Sequence, residues 1–317
     1  MKILVTGAAG FIGSHLCERL LEIEKIEVIG IDGFINPALN VTKQRNLKLS
    51  LGSPQFEFHQ VDLRQADLAR LLDGVEVVYH LAAMPGVRTS WGTDFKAYVD
   101  HNILATQMLL EAARGCPLKK FIYISTSSVY GEKIGKVTED SIPTPLSPYG
   151  VSKLTGEYLC KVYQASYGIP VVILRYFTLF GPRQREDMAF HRFIKGILEG
   201  QPIYIYGDGK QTRDFTFIRD CVEATVAALD AKGVIGETIN IGGRERASIL
   251  EVISILEDLL NKKATLEFLE RLKGDPLDTW ADISKAKRLI NYNPISTLKT
   301  GLEQQIKDIC DIMSLPR

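Results

Sequence analysis

This 317-residue chain has no hydrophobic run approaching the roughly 18 residues needed to cross a bilayer, so no membrane association is expected. Its five cysteines, Cys17, Cys116, Cys160, Cys221 and Cys310, are scattered, odd in number and without any C-x-x-C pair. That pattern excludes a disulfide framework and a thiolate metal site, and it suits a reducing cytoplasm. Net charge is missing too, because 38 lysines and arginines balance 38 aspartates and glutamates. Without a basic field, nucleic acid and anionic membrane are not expected partners, and any bound anion must be met by local cations. Internal repeats and low-complexity tracts are absent. No leader pattern is visible, since Met1-Lys2 runs straight into Ile3-Leu4-Val5.

What is present is 45% hydrophobic and 24% charged, enough apolar material for one large or two small domains. Lys2 to Thr6 reads as a strand, and Gly7-Ala8-Ala9-Gly10-Phe11-Ile12-Gly13 as a tight turn. Leu16, Leu20 and Leu21 then mark one face of a helix. Glycines between strand and helix let the backbone approach a pyrophosphate, and the helix N-terminus offers it free N–H groups and a positive dipole end. A second strand, Glu27 to Ile31, ends in Asp32, 19 residues beyond Gly13. A carboxylate there accepts from both ribose hydroxyls and repels a 2′-phosphate, so the expected cofactor is NAD rather than NADP.

A third strand, Phe56 to Gln60, leads to Asp62, which can receive the adenine amino group or cap a helix over Ala66 to Leu72. Lys43 can reach the adenosine or stay solvated. Val75 to His80 reads as a fourth strand, followed by Leu81-Ala82-Ala83, where small residues let a flat cofactor lie against the backbone. His80 reads more simply as a buried, hydrogen-bonded histidine than as a base. Asp94 to Arg114 reads as one long helix, apolar on too many sides for a single stripe, and so as a possible seam between two copies. Asn102 sits mid-helix, where a buried amide can bridge strands.

The chemistry concentrates between Ser125 and Lys153. Phe121 to Ser125 reads as a fifth strand that ends in the hydroxyl cluster Thr126-Ser127-Ser128. A polar, proline-rich loop follows, then Ser147-Pro148-Tyr149-Gly150-Val151-Ser152-Lys153. Tyr149 and Lys153 lie about one helical turn apart and share a face. Lowering a phenol from a pKa of about 10 to about 7 takes roughly 4 kcal/mol. An ammonium and a cationic nicotinamide within about 5 Å supply that in a partly dry site. Val171 to Arg175 reads as a sixth strand. The alternation of strand and helix predicts a parallel, doubly wound sheet with its ligand at the C-terminal strand ends.

Gly7-x-x-Gly10-x-x-Gly13 together with Tyr149-x-x-x-Lys153 resembles the extended short-chain dehydrogenase/reductase family. The likeness runs over nearly the whole chain, through His80-Leu81-Ala82-Ala83, Asn102, Arg175-Tyr176-Phe177, Gly181-Pro182-Arg183 and Arg213-Asp214-Phe215. Members of that family modify nucleotide sugars, keep NAD bound and are usually homodimers through a four-helix bundle. The resemblance implies an α/β fold: a doubly wound parallel (Rossmann) sheet with a smaller α+β substrate domain. Segments 1–177 and 212–242 would bind NAD, and segments 178–211 and 243–317 would bind the UDP-sugar. Tyr149 would be the base, Lys153 would hold the ribose and acidify that phenol, and Thr126 would hydrogen-bond the reacting hydroxyl. The implied cofactor site comprises the turn Gly7, Gly10, Phe11, Ile12 and Gly13; the strand-end residues Asp32, Asp62 and Leu63; Lys43; the run Leu81, Ala82 and Ala83; and Asn102, Tyr149, Lys153 and Tyr176.

Sugar dehydratases of this family carry Thr-Asp-Glu after the fifth strand, and its decarboxylases carry Thr-Ser-Glu. Thr126-Ser127-Ser128 lacks the extra carboxylate, which leaves epimerisation without elimination. The segments Met84-Pro85-Gly86-Val87-Arg88, Phe177 to Arg185, and Asp187-Met188-Ala189-Phe190 resemble members that invert carbon 4 of a UDP-hexuronic acid. UDP-glucuronate and UDP-galacturonate are the implied substrate and product. Pro85, Gly86, Arg88, Ser127, Ser128, Thr178, Arg185, Arg192 and Arg213 are the implied contacts. Arg185 adds a cation that a neutral 6-hydroxymethyl group does not need, or lies at the surface near Glu186; Ser127 and Thr178 can donate to the same carboxylate. Arg192 and Arg213 suit a diphosphate. Arg88 either meets substrate or is a plain surface arginine. Gly274-Asp275-Pro276 resembles a loop that meets the uridine ribose, although Leu272 stands where sugar epimerases often place a phosphate-binding arginine. The alternatives are a UDP-glucose or UDP-N-acetylglucosamine 4-epimerase, a UDP-glucuronate decarboxylase, and, from another class, an NAD-binding regulator without turnover.

Overall fold

Short Val/Ile/Leu/Tyr-rich runs separated by helical segments can hide both faces only inside a parallel sheet covered by helices. The computed structural model, which describes residues 1–313, adopts that solution. The last four residues of the expected substrate segment, 314–317, lie outside the described residues. The strands are β1 (Lys2–Thr6), β2 (Glu27–Asp32), β3 (Phe56–Gln60), β4 (Val77–His80), β5 (Lys120–Thr126), β6 (Val171–Tyr176), β7 (Thr178–Phe180), β8 (Ile203–Tyr206), β9 (Thr212–Phe217), β10 (Thr238–Ile241), β11 (Glu245–Ser248) and β12 (Leu266–Leu269). Seven form a sheet in the order β10-β6-β5-β4-β1-β2-β3, with every neighbouring pair parallel. Three more form β11-β9-β7, and β12 pairs with β8.

The helices are α1 (Phe11–Leu21), α2 (Asn40–Leu47), α3 (Leu68–Leu71), α4 (Phe95–Tyr98), α5 (Ala105–Ala112), α6 (Pro148–Tyr167), α7 (Ala189–Glu199), α8 (Ile218–Asp230), α9 (Ile249–Leu260), α10 (Ser284–Ile290) and α11 (Leu298–Met313). The period of two along each strand divides the core. Ile3, Val5, Ile122, Ile124, Val172 and Leu174 pack with Leu16 and Leu20 of α1 and Cys221 of α8. Leu4, Phe121, Tyr123, Val171 and Ile173 pack with Leu109 of α5 and Cys160 of α6. Lys120 breaks the apolar pattern of β5 for a local reason. Its buried ammonium donates to the carbonyls of Ala228, Leu229 and Ala231 at 2.8, 2.6 and 2.7 Å, and so closes the C-terminal end of α8.

Two expected helices differ. The one expected over Ala66 to Leu72 is the single turn α3, capped by Asp67, whose side chain accepts from the Arg70 amide. The one expected from Asp94 to Arg114 is interrupted by a π turn, Val99–Leu104, between α4 and α5. Val99 and Leu104 along it are exposed within one chain. Asn102, inside the π turn, is fully buried but does not bridge strands. Its Oδ1 accepts from the Met84 amide at 2.6 Å, and its Nδ2 donates to the Met84 carbonyl at 3.0 Å and to Ser152 Oγ at 2.9 Å. It therefore ties the loop after β4 to α6.

Candidate active site

The turn between β1 and α1 has the shape a pyrophosphate needs. Gly7 has a φ of 72°, and a Cβ there would stand 3.0 Å from the Ala82 nitrogen. A Cβ on Gly13 would overlap the Gly7 carbonyl oxygen. No side chain caps α1, whose N-cap is Gly10, and its first turn holds no acid, so that N-terminus is open to an anion. Asp32 closes β2 at 6% exposure and accepts from the Phe34 amide at 2.9 Å. These features fit an NAD dinucleotide.

Around that cradle, several sequence readings resolve. Lys43 is not solvated; its ammonium pairs with Asp32 at 2.6 Å. Asp62 does not cap α3. It is gripped by Arg64, whose Nη2 lies 2.7 Å away and whose amide donates at 2.9 Å, and that grip holds the carboxyl below the usual range. The Leu63 side chain joins the core. His80 is buried between Thr6 (2.8 Å) and Thr106 (2.9 Å), and burial pushes it down to about 3, which keeps it neutral and unsuited to act as a base. The Tyr176 hydroxyl meets Thr225 on α8 at 2.6 Å, so the side chain of this last residue of β6 packs against that helix. Leu81, Ala82 and Ala83 are half-buried, and the Ala82 amide donates to Thr6 Oγ1 at 3.0 Å.

The hydroxyl cluster and the tyrosine come together because two local signals agree. Thr126, the last residue of β5, accepts from the Ser128 amide at 3.2 Å and turns the chain through Ser127 and Ser128. Ser147 caps α6 by accepting from the Gly150 amide at 3.2 Å, with Pro148 at the first helical position. Gly150 lets that helix start lie close to the cluster; a Cβ there would be 2.6 Å from the Ser128 carbonyl oxygen. Tyr149 therefore stands beside Thr126, and Lys153 follows one turn later at 3% exposure, with its ammonium 4.2 Å from the Tyr123 ring centre.

The electrostatics differ from the sequence expectation in one respect. Burial pushes the Tyr149 phenol up, while the Thr126 hydroxyl and the charge of Arg185 pull it down. Burial lowers Lys153 to about 8, against the charges of Cys160 and Glu157. Arg185 is thus a cation acting on Tyr149 that the sequence expectation did not include. Tyr98 packs edge-on against Tyr149 at 6.2 Å. Its hydroxyl lies 3.0 Å from the Pro85 carbonyl, 2.9 Å from that of Gly86 and 2.7 Å from Thr89 Oγ1, which holds the expected substrate loop beside the tyrosine.

A cleft of about 250 Å³ brings together Gly86, Arg88, Thr178, Arg192, Tyr206 and Asp275. Arg88 is not a plain surface arginine. Its guanidinium lies 4.5 Å over the Tyr206 ring and pairs with Asp275 at 3.2 Å. Arg185 is paired, but with Asp187 (2.9 and 2.8 Å) rather than Glu186. Arg213 is held by the Thr212 carbonyl at 2.8 Å, and burial pushes its pKa down. Arg271, which the sequence reading passed over for Leu272, also lowers Arg213 through its charge, donates to the Asp275 carbonyl at 2.7 Å and lies 3.8 Å from Glu132. The signal was present as Arg271-x-x-Gly274-Asp275, one place earlier than the position considered. Among the described residues, no helix is long and apolar enough to cross a membrane, and no group of three or more His, Cys, Asp or Glu side chains could hold a metal ion.

Residues 3–242 match the model of the NAD dependent epimerase/dehydratase family. A Bacillus subtilis protein described as an uncharacterized UDP-glucose epimerase is 59% identical over 96% of this chain and 97% of its own length. A Thermodesulfobacterium geofontis UDP-glucuronate 4-epimerase is 42% identical over 96% of this chain and 94% of its own length. The crystal structure of a UDP-glucuronic acid 4-epimerase from Bacillus cereus, in complex with UDP-glucuronic acid and NAD, superposes with a TM-score of 0.97. That protein is 57% identical, and the match covers 98% of this chain and 100% of the crystallised one.

Proposed function

Because the chain belongs to the NAD dependent epimerase/dehydratase family, we propose that it inverts carbon 4 of a UDP-hexuronic acid, interconverting UDP-glucuronate and UDP-galacturonate without loss of carbon dioxide. NAD, when bound, supplies the acceptor and donor for the hydrogen on carbon 4. Gly7, Gly10, Phe11, Ile12, Gly13 and Asp32 are the residues that would hold it. Tyr149 takes the proton of the 4-hydroxyl as base, Thr126 hydrogen-bonds that hydroxyl, and the Lys153 ammonium favours the phenolate. The resulting 4-keto sugar turns over in the cleft, the carbon-bound hydrogen returns to the other face of carbon 4, and Tyr149 gives its proton back to the 4-oxygen. Arg88, Arg192, Arg213 and Arg271 anchor the diphosphate, so the ring rotates without leaving.

One observation carries the choice of an acid sugar. The charge of Arg185, beside the cleft residue Asp187, lowers the Tyr149 phenol, and a cation near the proposed base suits a sugar that carries a carboxylate. Ser127, Ser128 and Thr178 add hydroxyl donors. The 4-keto uronate is a β-keto acid, and it loses carbon dioxide only when the breaking bond aligns with the ketone π system. These donors hold the carboxylate near the ring plane, where overlap is poor. A neutral UDP-hexose is the second reading, favoured by the description of the Bacillus subtilis relative. Incubation with UDP-glucuronate, UDP-glucose and UDP-N-acetylglucosamine in parallel separates the two. Conversion of UDP-glucuronate to UDP-galacturonate is expected; preferential conversion of a neutral sugar, or release of a UDP-pentose as the main product, would overturn the proposal.

The exposed apolar residues Val99 and Leu104 near α5, with Val151, Tyr158 and Val162 on α6, support a homodimer in which two helices from each copy form a four-helix bundle. Segments 1–177 and 212–242 serve NAD, and 178–211 with 243–317 serve the UDP-sugar. Five free cysteines accord with the cytoplasm.

A further inference from the structure

One turn beyond Lys153 on α6 lies Glu157, a carboxylate at 1% exposure that the proposed reaction does not use directly. Its Oε1 accepts from Ser125 Oγ at 2.5 Å and from Arg175 Nε at 2.9 Å, and its Oε2 accepts from Arg175 Nη2 at 2.6 Å. Ser125 and Arg175 are register partners on β5 and β6. Ser125 immediately precedes Thr126, and Arg175 lies three residues before Thr178. Gly156 lets the helix approach this closely, because any Cβ there would overlap the Tyr123 hydroxyl. A single buried carboxylate thus touches the strand that carries Thr126, the strand that leads to Thr178, and the helix that carries Tyr149 and Lys153.

Burying a carboxylate and a guanidinium costs several kcal/mol, roughly cancelled by their attraction, so stability alone is a weak reason to keep such a pair. We infer that Glu157 is a positioning residue: through Ser125 and Arg175 it fixes the end of β5 that carries Thr126 against the helix that carries Tyr149 and Lys153. This rests on the role of Tyr149 and Lys153 in the proposed reaction. Glu157 also raises Lys153 against the lowering effect of burial.

The test uses the NAD-loaded full chain, with kcat and KM measured from neutral to alkaline pH for wild type, Glu157→Gln and Glu157→Gln/Arg175→Met. Glu157→Gln weakens the contacts to both Ser125 and Arg175. Its kcat should fall about tenfold with KM within about twofold, and its alkaline limb should move down, since Glu157 raises Lys153. The double variant removes both charges, which keeps the fold in the way that neutral replacements of buried pairs do. Its kcat should stay low, because the Ser125 tether remains weakened. Wild-type kcat and pH profile in Glu157→Gln would overturn the inference. If that variant does not fold, wild-type kcat in the double variant would do the same. An inactive wild type would instead count against the proposed reaction.

Discussion

Replacing Arg185 by glutamine removes a cation whose charge lowers the catalytic phenol. A charge-assisted hydrogen bond to a carboxylate is worth about 1.5–3 kcal/mol. Arg185 is a quarter exposed and already shared with Asp187 at 2.9 and 2.8 Å, so the lower end applies. About 1.5 kcal/mol is about tenfold in kcat/KM for UDP-glucuronate. The same change should cost less with UDP-glucose, which has no carboxylate to hold. Asp187→Asn acts oppositely: it frees the guanidinium and removes a negative charge from the cleft, so KM for UDP-glucuronate should fall. The assay is steady-state kinetics on both sugars for both variants. Equal losses on acid and neutral sugars in Arg185→Gln would refute a carboxylate-binding role and leave only an effect on Tyr149.

Tyr149→Phe should lose at least about a hundredfold in rate while still binding UDP-glucuronate; near-normal turnover would remove Tyr149 from the mechanism. Lys153, at about 8, is an ammonium below that pH and neutral above it, so the rate should decline as pH rises through about 8; an alkaline limb no lower than that of free lysine, about 10.4, would contradict this. Ser127→Ala and Thr178→Ala should raise the share of UDP-pentose among the products, and an unchanged share would remove those hydroxyls from the restraint of the carboxylate. Lys120→Met strands three carbonyls at the end of α8 and should cost about 3 kcal/mol in denaturant unfolding at unchanged m; a loss below about 1 kcal/mol would show that water replaces the ammonium.

The elements that could be read from the chain are those specified locally. The apolar runs of β1 to β6, the glycine turn and the Ser147-Pro148 start of α6 each depend on neighbours within a few residues, and the Tyr149–Lys153 spacing needs only the helical period. What escaped depends on partners far along the chain. The strands β7 and β11 are short, β9 mixes polar and apolar residues, and all three gain their identity by pairing, such as Thr178 with Phe215 and Glu245 with Phe215. The π turn at Val99–Leu104 accompanies the Asn102 bonds to Met84 and Ser152, which no helical periodicity announces. The capture of Lys43 by Asp32, of Arg185 by Asp187 and of Arg88 by Asp275 is side-chain choice, settled by packing rather than by spacing. Nothing in the sequence sets Glu157 apart from other helical glutamates, because its partners Ser125 and Arg175 lie on separate strands.

The most direct measurement is to run the reaction on UDP-glucuronate in deuterium oxide and to read carbon 4 of the product by mass spectrometry and proton NMR. If Tyr149 removes only the hydroxyl proton and the carbon-bound hydrogen returns to the same carbon, UDP-galacturonate forms with no deuterium at carbon 4. Deuterium at that carbon, or a pentose in place of the galacturonate, would contradict it.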